Sequence, residues 1–438
     1  MTKEPEEVSI EDLKNDVAKG INLETIDTNL PEEKENLSGT MKKQRKKRNL
    51  KKRTKIIIIV VVALLAIGGG VLAFFLLNQK PAEVVEEKVP EKVPEKYYSV
   101  LTGEEIADKK LNESPTFCMQ IPNGLDGARP QVGLKKAGVV FEAIAEAGIT
   151  RFAAVFQNVE ASALGPIRSL RLYYLDWDVP FDCTIVHAGG SAEAIAAAQS
   201  YRDLSESTTY EWRIRKGYVA PNNLFTSSEL LNKFNADHNF ANSDVKAFDR
   251  LKPDEAKKAV EENVKAAEPL TEEEKAAAAS ADSSESPREV KPLVEKISVN
   301  FGRTPAFNTI YAYDRGSNTY LRSYGDGSAH ISYTCEQGIN VTAPKNECGE
   351  PSQVSPSAVA VMMVDQWLDT DHYHLRTQTI GTGSAYVFQN GEAIKGTWEK
   401  SARESQIIFK DEDGKEISFA PGQLWIAAVP NSGGSVQY

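Results

Sequence analysis

Three arginines, one histidine and a glycine-rich turn fall within 41 residues: Gly148-Ile149-Thr150-Arg151-Phe152, then Gly165-Pro166-Ile167-Arg168-Ser169-Leu170-Arg171, then His187-Ala188-Gly189-Gly190-Ser191. Arginine forks match phosphate and carboxylate geometry, and glycines ahead of a helix leave backbone N–H groups free to face an anion. The constellation predicts an anion pocket; the competing role for its arginines is ion pairing with Glu142, Glu146 or Asp176. Arg168 and Arg171 share a face if their segment is helical and oppose each other if it is extended. Arg213 in Trp212-Arg213-Ile214-Arg215, and Asn222 and Asn223 after Pro221, are candidates for the same polar cleft. An Asn-Asn pair after proline equally suits an ordered turn, with Thr226 or Ser227 capping the next helix. Asp369-Thr370-Asp371-His372-Tyr373-His374 would place two imidazoles on one side of a strand beside carboxylates. It lacks a third ligand at close spacing and is flanked by Trp367, so neither a metal nor another cofactor is expected. No Gly-x-Ser-x-Gly elbow occurs.

The elements that must position these residues are of two textures. Residues 98–250 mix apolar strands (138–143, 152–156, 183–187) with helices at 191–201, capped by Ser191, and at 228–234. Strands and helices intermingle, so a sheet covered by helices is the expected core, whether parallel or antiparallel. Residues 251–292 are rich in Glu, Lys, Ala and Ser and lack aromatics, which predicts a linker or a solvated helical insertion. Residues 293–438 turn to short β-branched and aromatic runs at 297–301, 309–313, 319–324, 359–364, 385–389, 406–410 and 425–429. Hairpin turns are expected at 314–318, 389–391 and 411–414. The fold class is therefore α+β, a mixed domain followed by a mostly β one.

Upstream, Ile56 to Leu77 is a run of 22 residues without a charge, preceded by Lys42–Lys55, in which ten of fourteen residues are Lys or Arg. As a helix it would be about 33 Å long, against a hydrocarbon core of roughly 30 Å. It is too long, and lacks the small-residue end, for a cleaved signal peptide. Residues 54–78 are thus expected to cross a membrane once, with residues 1–53 cytoplasmic and the rest outside. The whole chain carries −11 and the basic run +10, leaving −21 for the remainder. Anionic lipid, not nucleic acid, is the partner expected for the basic run. Residues 1–40 hold eleven acids, four bases and no aromatic, which predicts a disordered tail. Residues 79–97 repeat Glu-Lys-Val-Pro, an extended stalk reaching roughly 50 Å in polyproline II form. All four cysteines follow the span, where disulfides persist. Cys335 and Cys348 are expected to pair; Cys118 and Cys183 either pair or pack as buried thiols.

From Ala128-Arg129-Pro130-Gln131 through the arginine and His187 motifs to Trp212-Arg213, Pro221-Asn222-Asn223-Leu224-Phe225-Thr226-Ser227, the 311–324 hairpin, Gly396-Thr397-Trp398 and Pro421-Gly422-Gln423-Leu424-Trp425, the chain resembles the YerB family. These are bacterial extracytoplasmic lipoproteins built from two adjoining domains of unknown function. The resemblance spans roughly residues 115–430 and implies no activity. Family members often carry a lipid-anchored cysteine near the N-terminus, whereas the first here is Cys118, which leaves anchoring to the helix. Their loop usually reads Pro-His-Asn, where this chain has Asn222, which favours binding over catalysis. The leading expectation is an envelope protein binding an anionic glycan or lipid-linked precursor through its arginines. One alternative is a divalent-cation-dependent phosphotransferase or hydrolase using Asp176, Asp178 and Asp182, by analogy with the LytR-CpsA-Psr enzymes. Another is a scaffold docking protein partners.

Overall fold

The computed structural model describes residues 95–215, 217–279, 288–302, 304–335 and 350–438, together with Val62, Ala63, Gly70, Phe74 and Leu77, each of these five helical. The expected tail, most of the expected span, and residues 79–94 of the stalk lie outside the described residues. Among the described residues no helix is long and apolar enough to cross a membrane. The chain divides into two units, Met1–Glu91 and Lys92–Tyr438. The second carries everything that follows.

In chain order its first part contains β1 Thr116–Pro122, β2 Val139–Ile144, β3 Thr150–Gln157, α1 Leu172–Asp178, β4 Thr184–His187, α2 Ala192–Ala198, β5 Asp203–Ser205 and α3 Ser228–Asp237. The low-complexity stretch forms two helices, α4 Pro253–Ala267 and α5 Glu272–Ala279. Then come β6 Lys296–Asn300, β7 Thr309–Asp314, β8 Thr319–Tyr324, β9 Ala358–Val364, β10 Gln366–Leu368, β11 Leu375–Thr377, β12 Gly381–Gln389, β13 Glu392–Lys400, β14 Ile408–Asp411, β15 Leu424–Pro430 and β16 Ser435–Gln437. Asn390-Gly391 makes the two-residue turn between β12 and β13, both with positive φ. Ser191 and Ser227 cap α2 and α3 by accepting from Ala194 and Leu230 N–H.

Ten strands form one mixed sheet in the order β14-β13-β12-β9-β15-β2-β3-β1-β4-β5. Its middle is the parallel pairing of β15 with β2, Leu424 opposite Val139 and Ala428 opposite Ala143. The two textures of the sequence therefore meet inside a single sheet. Alternate residues feed two cores. Val139, Phe141 and Ala143, with Leu424, Ile426 and Ala428, pack under Tyr173, Tyr174 and Trp177 of α1 and Ala194 and Ala198 of α2. Val140 and Ile144, with Trp425, Ala427 and Val429, pack against Leu231 and Phe234 of α3 and against Ile297, Val299, Tyr311 and Tyr320 of a second sheet, β8-β7-β6-β16. Burial on both faces is why the central strands read as unbroken apolar runs.

Cys118 on β1 and Cys183, just before the neighbouring β4, form a disulfide, Cα–Cα 5.7 Å. Of the two roles open to these cysteines, it is the bridge that is realised. Cys335 is buried and disulfide-bonded. Its expected partner, Cys348, lies outside the described residues.

Candidate functional site

The carboxyl ends of β1, β2 and β4 and the start of β3 lie along one rim of the sheet, since β1 runs parallel to β4 and antiparallel to β3. Residues 165–170 thread across this rim in extended form. Arg168 N–H donates to Gln120 O (2.8 Å), Ala188 N–H to Arg168 O (3.0 Å) and Leu170 N–H to Gly189 O (2.9 Å). Gly189 has φ +65°, and a Cβ at Gly190 would stand 2.9 Å from Leu170 O. The glycine turn thus grips the arginine segment. Two of the N–H donors an anion cradle would use are already taken: Ser191 N–H goes to Leu170 O, and the Ser191 side chain occupies Ala194 N–H. Helicity begins only after Arg171, the residue preceding α1. Arg168 and Arg171 consequently line different clefts.

The smaller cleft, about 180 Å³, is walled by Asn123, Asp126, Glu146, Arg151, Arg168, Asn222 and Tyr373, among others. Glu146, on the turn after β2, accepts from Arg171 Nε and lies 3.5 Å from Arg151 Nη2. Arg151 Nη1 also donates to Ser169 O (2.7 Å). Arg151 and Arg171 therefore share one carboxylate, as the ion-pair role anticipates, and the trio keeps one net positive charge. Arg168 is different. Its Nε is buried without a hydrogen-bond partner. Burial, compounded by Arg151, holds its guanidinium below the ordinary range, with Asp126 the foremost opposing charge. Asn222 closes the wall, its amide donating to Asp126 O (3.2 Å).

A larger neighbouring cleft, about 440 Å³, is lined by Arg171, Asp176, Ser191, Glu193, Trp367, Asp369, Asp371, His374 and Arg376, among others. The β10–β11 hairpin spans both: Tyr373 of its tip lines the smaller cleft, and Asp371 and His374 the larger.

The remaining expected site residues are each held by partners of their own. His187 is sealed in, Nε2 2.7 Å from Asp203 Oδ1 and Nδ1 2.7 Å from Gly189 O. Arg213 donates to Asn223 Oδ1 (2.9 Å) and pairs with Glu206, while Asn223 donates to Ile214 O (2.9 Å). These bonds complete the ribbon of Trp212–Arg213 with Leu224–Phe225. Asp176 is held by Arg403 and Thr379, and Asp182 by Arg202. Asp178 is buried, and burial pushes its carboxyl well above the usual range. His372-Tyr373-His374 sits at a turn between β10 and β11, not in a strand, so the same-side geometry is lost; His374 Nδ1 lies 2.5 Å from Asp371 Oδ2. Among the described residues no group of three or more His, Cys, Asp or Glu side chains could hold a metal.

One buried constellation escaped the sequence reading. Arg322 on β8 spans both Glu142 oxygens (3.0 and 2.9 Å), both side chains wholly buried. Glu142 also accepts from Trp425 Nε1 (2.9 Å) and Thr150 Oγ1 (2.9 Å). Burial alone would depress the Arg322 guanidinium; Glu142, joined by Tyr311 and Tyr324, outweighs it and holds it above the ordinary range. His330, kept neutral by burial and by Arg322, accepts from Arg322 and faces Gln131 Oε1 (3.0 Å). Arg129 stacks over Tyr324 (3.6 Å) at the edge of this network. Its signal was there: Glu142 stands inside an apolar strand, and Arg322 falls on the inward-facing alternation Tyr320, Arg322, Tyr324.

Comparison with known proteins agrees with the motifs. Residues 101–241 match the family described as "Protein of unknown function (DUF3048) N-terminal domain", and residues 297–426 match its C-terminal domain. The chain is 27% identical over 339 residues to YerB of Bacillus subtilis strain 168, covering 76% of this chain and 86% of that protein, whose name proposes that it is a lipoprotein. The crystal structure of YerB from Bacillus subtilis shares the fold with a TM-score of 0.56 and 23% identity, over 78% of this chain and all of the other. With both halves matched in order along one continuous relative, the chain belongs to the YerB-like family of two-part proteins of unknown function.

Proposed function

We propose that this is an extracytoplasmic, single-span envelope protein that binds an anionic ligand, a glycan or lipid-linked precursor, in the cleft of Arg151, Arg168 and Asn222. The observation that carries the reading is Arg168: a partly buried guanidinium whose Nε has no partner, on the wall of an open cleft, while Glu146 is already engaged by Arg151 and Arg171. An anion there would relieve a cation that burial penalises. The uncharged run behind its basic flank, and the name of the Bacillus relative, support placement at the outer face of a membrane.

Calorimetric titration of the full chain with pyrophosphate tests it. Arg168→Gln should abolish binding and leave stability within about 1 kcal/mol, because it strips no partner of a hydrogen bond and removes a cation that burial penalises. Arg171→Gln should instead cost roughly 1–3 kcal/mol, since it strips Glu146 of a partner. Unchanged pyrophosphate binding in Arg168→Gln would remove the reading. Protease added outside intact cells should digest residues 95–438 and spare the N-terminal tail; the reverse pattern would overturn the orientation.

A further inference from the structure

Trp367 is an exposed tryptophan in polar surroundings. Of the five tryptophans, Trp177, Trp398 and Trp425 are fully buried and Trp212 is partly buried, whereas Trp367 is 53% exposed. It stands on β10 directly opposite Arg376 of β11, so both project to one side of the hairpin, and both line the larger cleft. Arg376 is clamped between Glu193 of α2 (2.5 Å) and Asp369 (2.7 Å), which fastens the hairpin to the body and fixes the indole beside the cleft. Around it stand Asp369, its oxygens already taken by Thr370 and Arg376, and Asp371 and Glu193, carboxylates with lone pairs to spare for hydroxyl donors. Its volume lies within the roughly 300–1,000 Å³ of small-ligand sites.

An aromatic face ringed by carboxylates and a guanidinium fits a ligand that is apolar on its ring faces and rich in O–H groups at its edges. We infer that the larger cleft binds saccharide rings, with Trp367 as the stacking platform, and that an acidic oligosaccharide occupies both clefts. The second clause rests on the anion reading above: Arg171 of the larger cleft pairs with Glu146 of the smaller, and the hairpin tip lines both, so a sugar on Trp367 can carry its acid group to Arg168. A lipid surface or an apolar protein groove suits the site less well. Leu368, the other exposed apolar residue of the strand, points to the opposite face, and insertion would strip water from three carboxylates.

The exposure of one indole makes the test direct. Chitotetraose, a neutral oligosaccharide, and tetragalacturonate, an acidic one, should each shift the tryptophan emission of the full chain. By calorimetry Trp367→Ala should weaken both by about tenfold, the scale of an aromatic contact, with pyrophosphate binding unchanged. Trp367→Phe should recover part of that loss. Arg168→Gln should remove the advantage of tetragalacturonate over chitotetraose and leave chitotetraose as it was. Pyrophosphate binding without binding of either saccharide would overturn the platform while leaving the anion cleft standing. Saccharide binding without pyrophosphate binding would keep the platform and overturn the anion cleft. Emission shifts caused by anionic phospholipid vesicles alone would assign Trp367 to a membrane and overturn the inference.

Discussion

At single positions, what a side chain does here is decided by who else claims its partner. Glu146 serves two arginines and leaves a third over; Glu142 holds Arg322, Trp425 and Thr150 at once. That allocation was invisible in the sequence, which showed three arginines and three possible acids without saying which would meet. The residue 211 carboxyl shows the other face of burial. Glu211 is 4% exposed and its Oε1 has no partner, and burial pushes it from 4.5 up to about 7, beside His187. The folded chain keeps a proton there that the unfolded chain gives up from about pH 4.5 onward, so this group's stabilisation is full in acid and is lost as pH rises toward 7. Thermal melts at pH 5 and pH 7.5 should show a smaller difference for Glu211→Gln than for the native chain; equal differences would remove Glu211 as the cause.

Among the elements, those buried on two faces were the legible ones. The runs at 138–143, 152–156, 359–364 and 425–429 were continuous and apolar, and each is a strand of the central sheet. β13 was missed because Lys395, Glu399 and Lys400 break its pattern, although Trp398 on the inner face is fully buried. The β10–β11 hairpin was missed because three-residue strands carry too little periodicity to read, and with it went the shape of both clefts. The Cys118–Cys183 bridge was legible only as one of two roles, since nothing in the sequence sets β1 beside β4. It closes a separation of 65 residues, worth roughly 4 kcal/mol in the chain-entropy model. The Cys118→Ser, Cys183→Ser pair of changes should lower the denaturation midpoint accordingly, read by urea titration under non-reducing conditions; an unchanged midpoint would show the pairing of β1 with β4 to be sufficient alone.

Across the whole Lys92–Tyr438 unit, the two sequence segments are separable on paper and joined in space. β15 lies between β2 and β9, and Glu142 and Arg322 bind the segments again through the core. A chain cut between α5 and β6 and co-expressed as two pieces should therefore elute as one species on size exclusion. Either piece alone should aggregate, because it exposes an unpaired central strand edge; a soluble, cooperative melt from one piece would contradict this. The same junction sets a schedule. Val139 must wait for Leu424, 285 positions later, before its free edge is covered. A ribosome adding about 5–20 residues per second leaves that edge open for tens of seconds, longer than collapse or hairpin formation takes. The exposure of the first half to mispairing therefore lasts until the final long strand arrives.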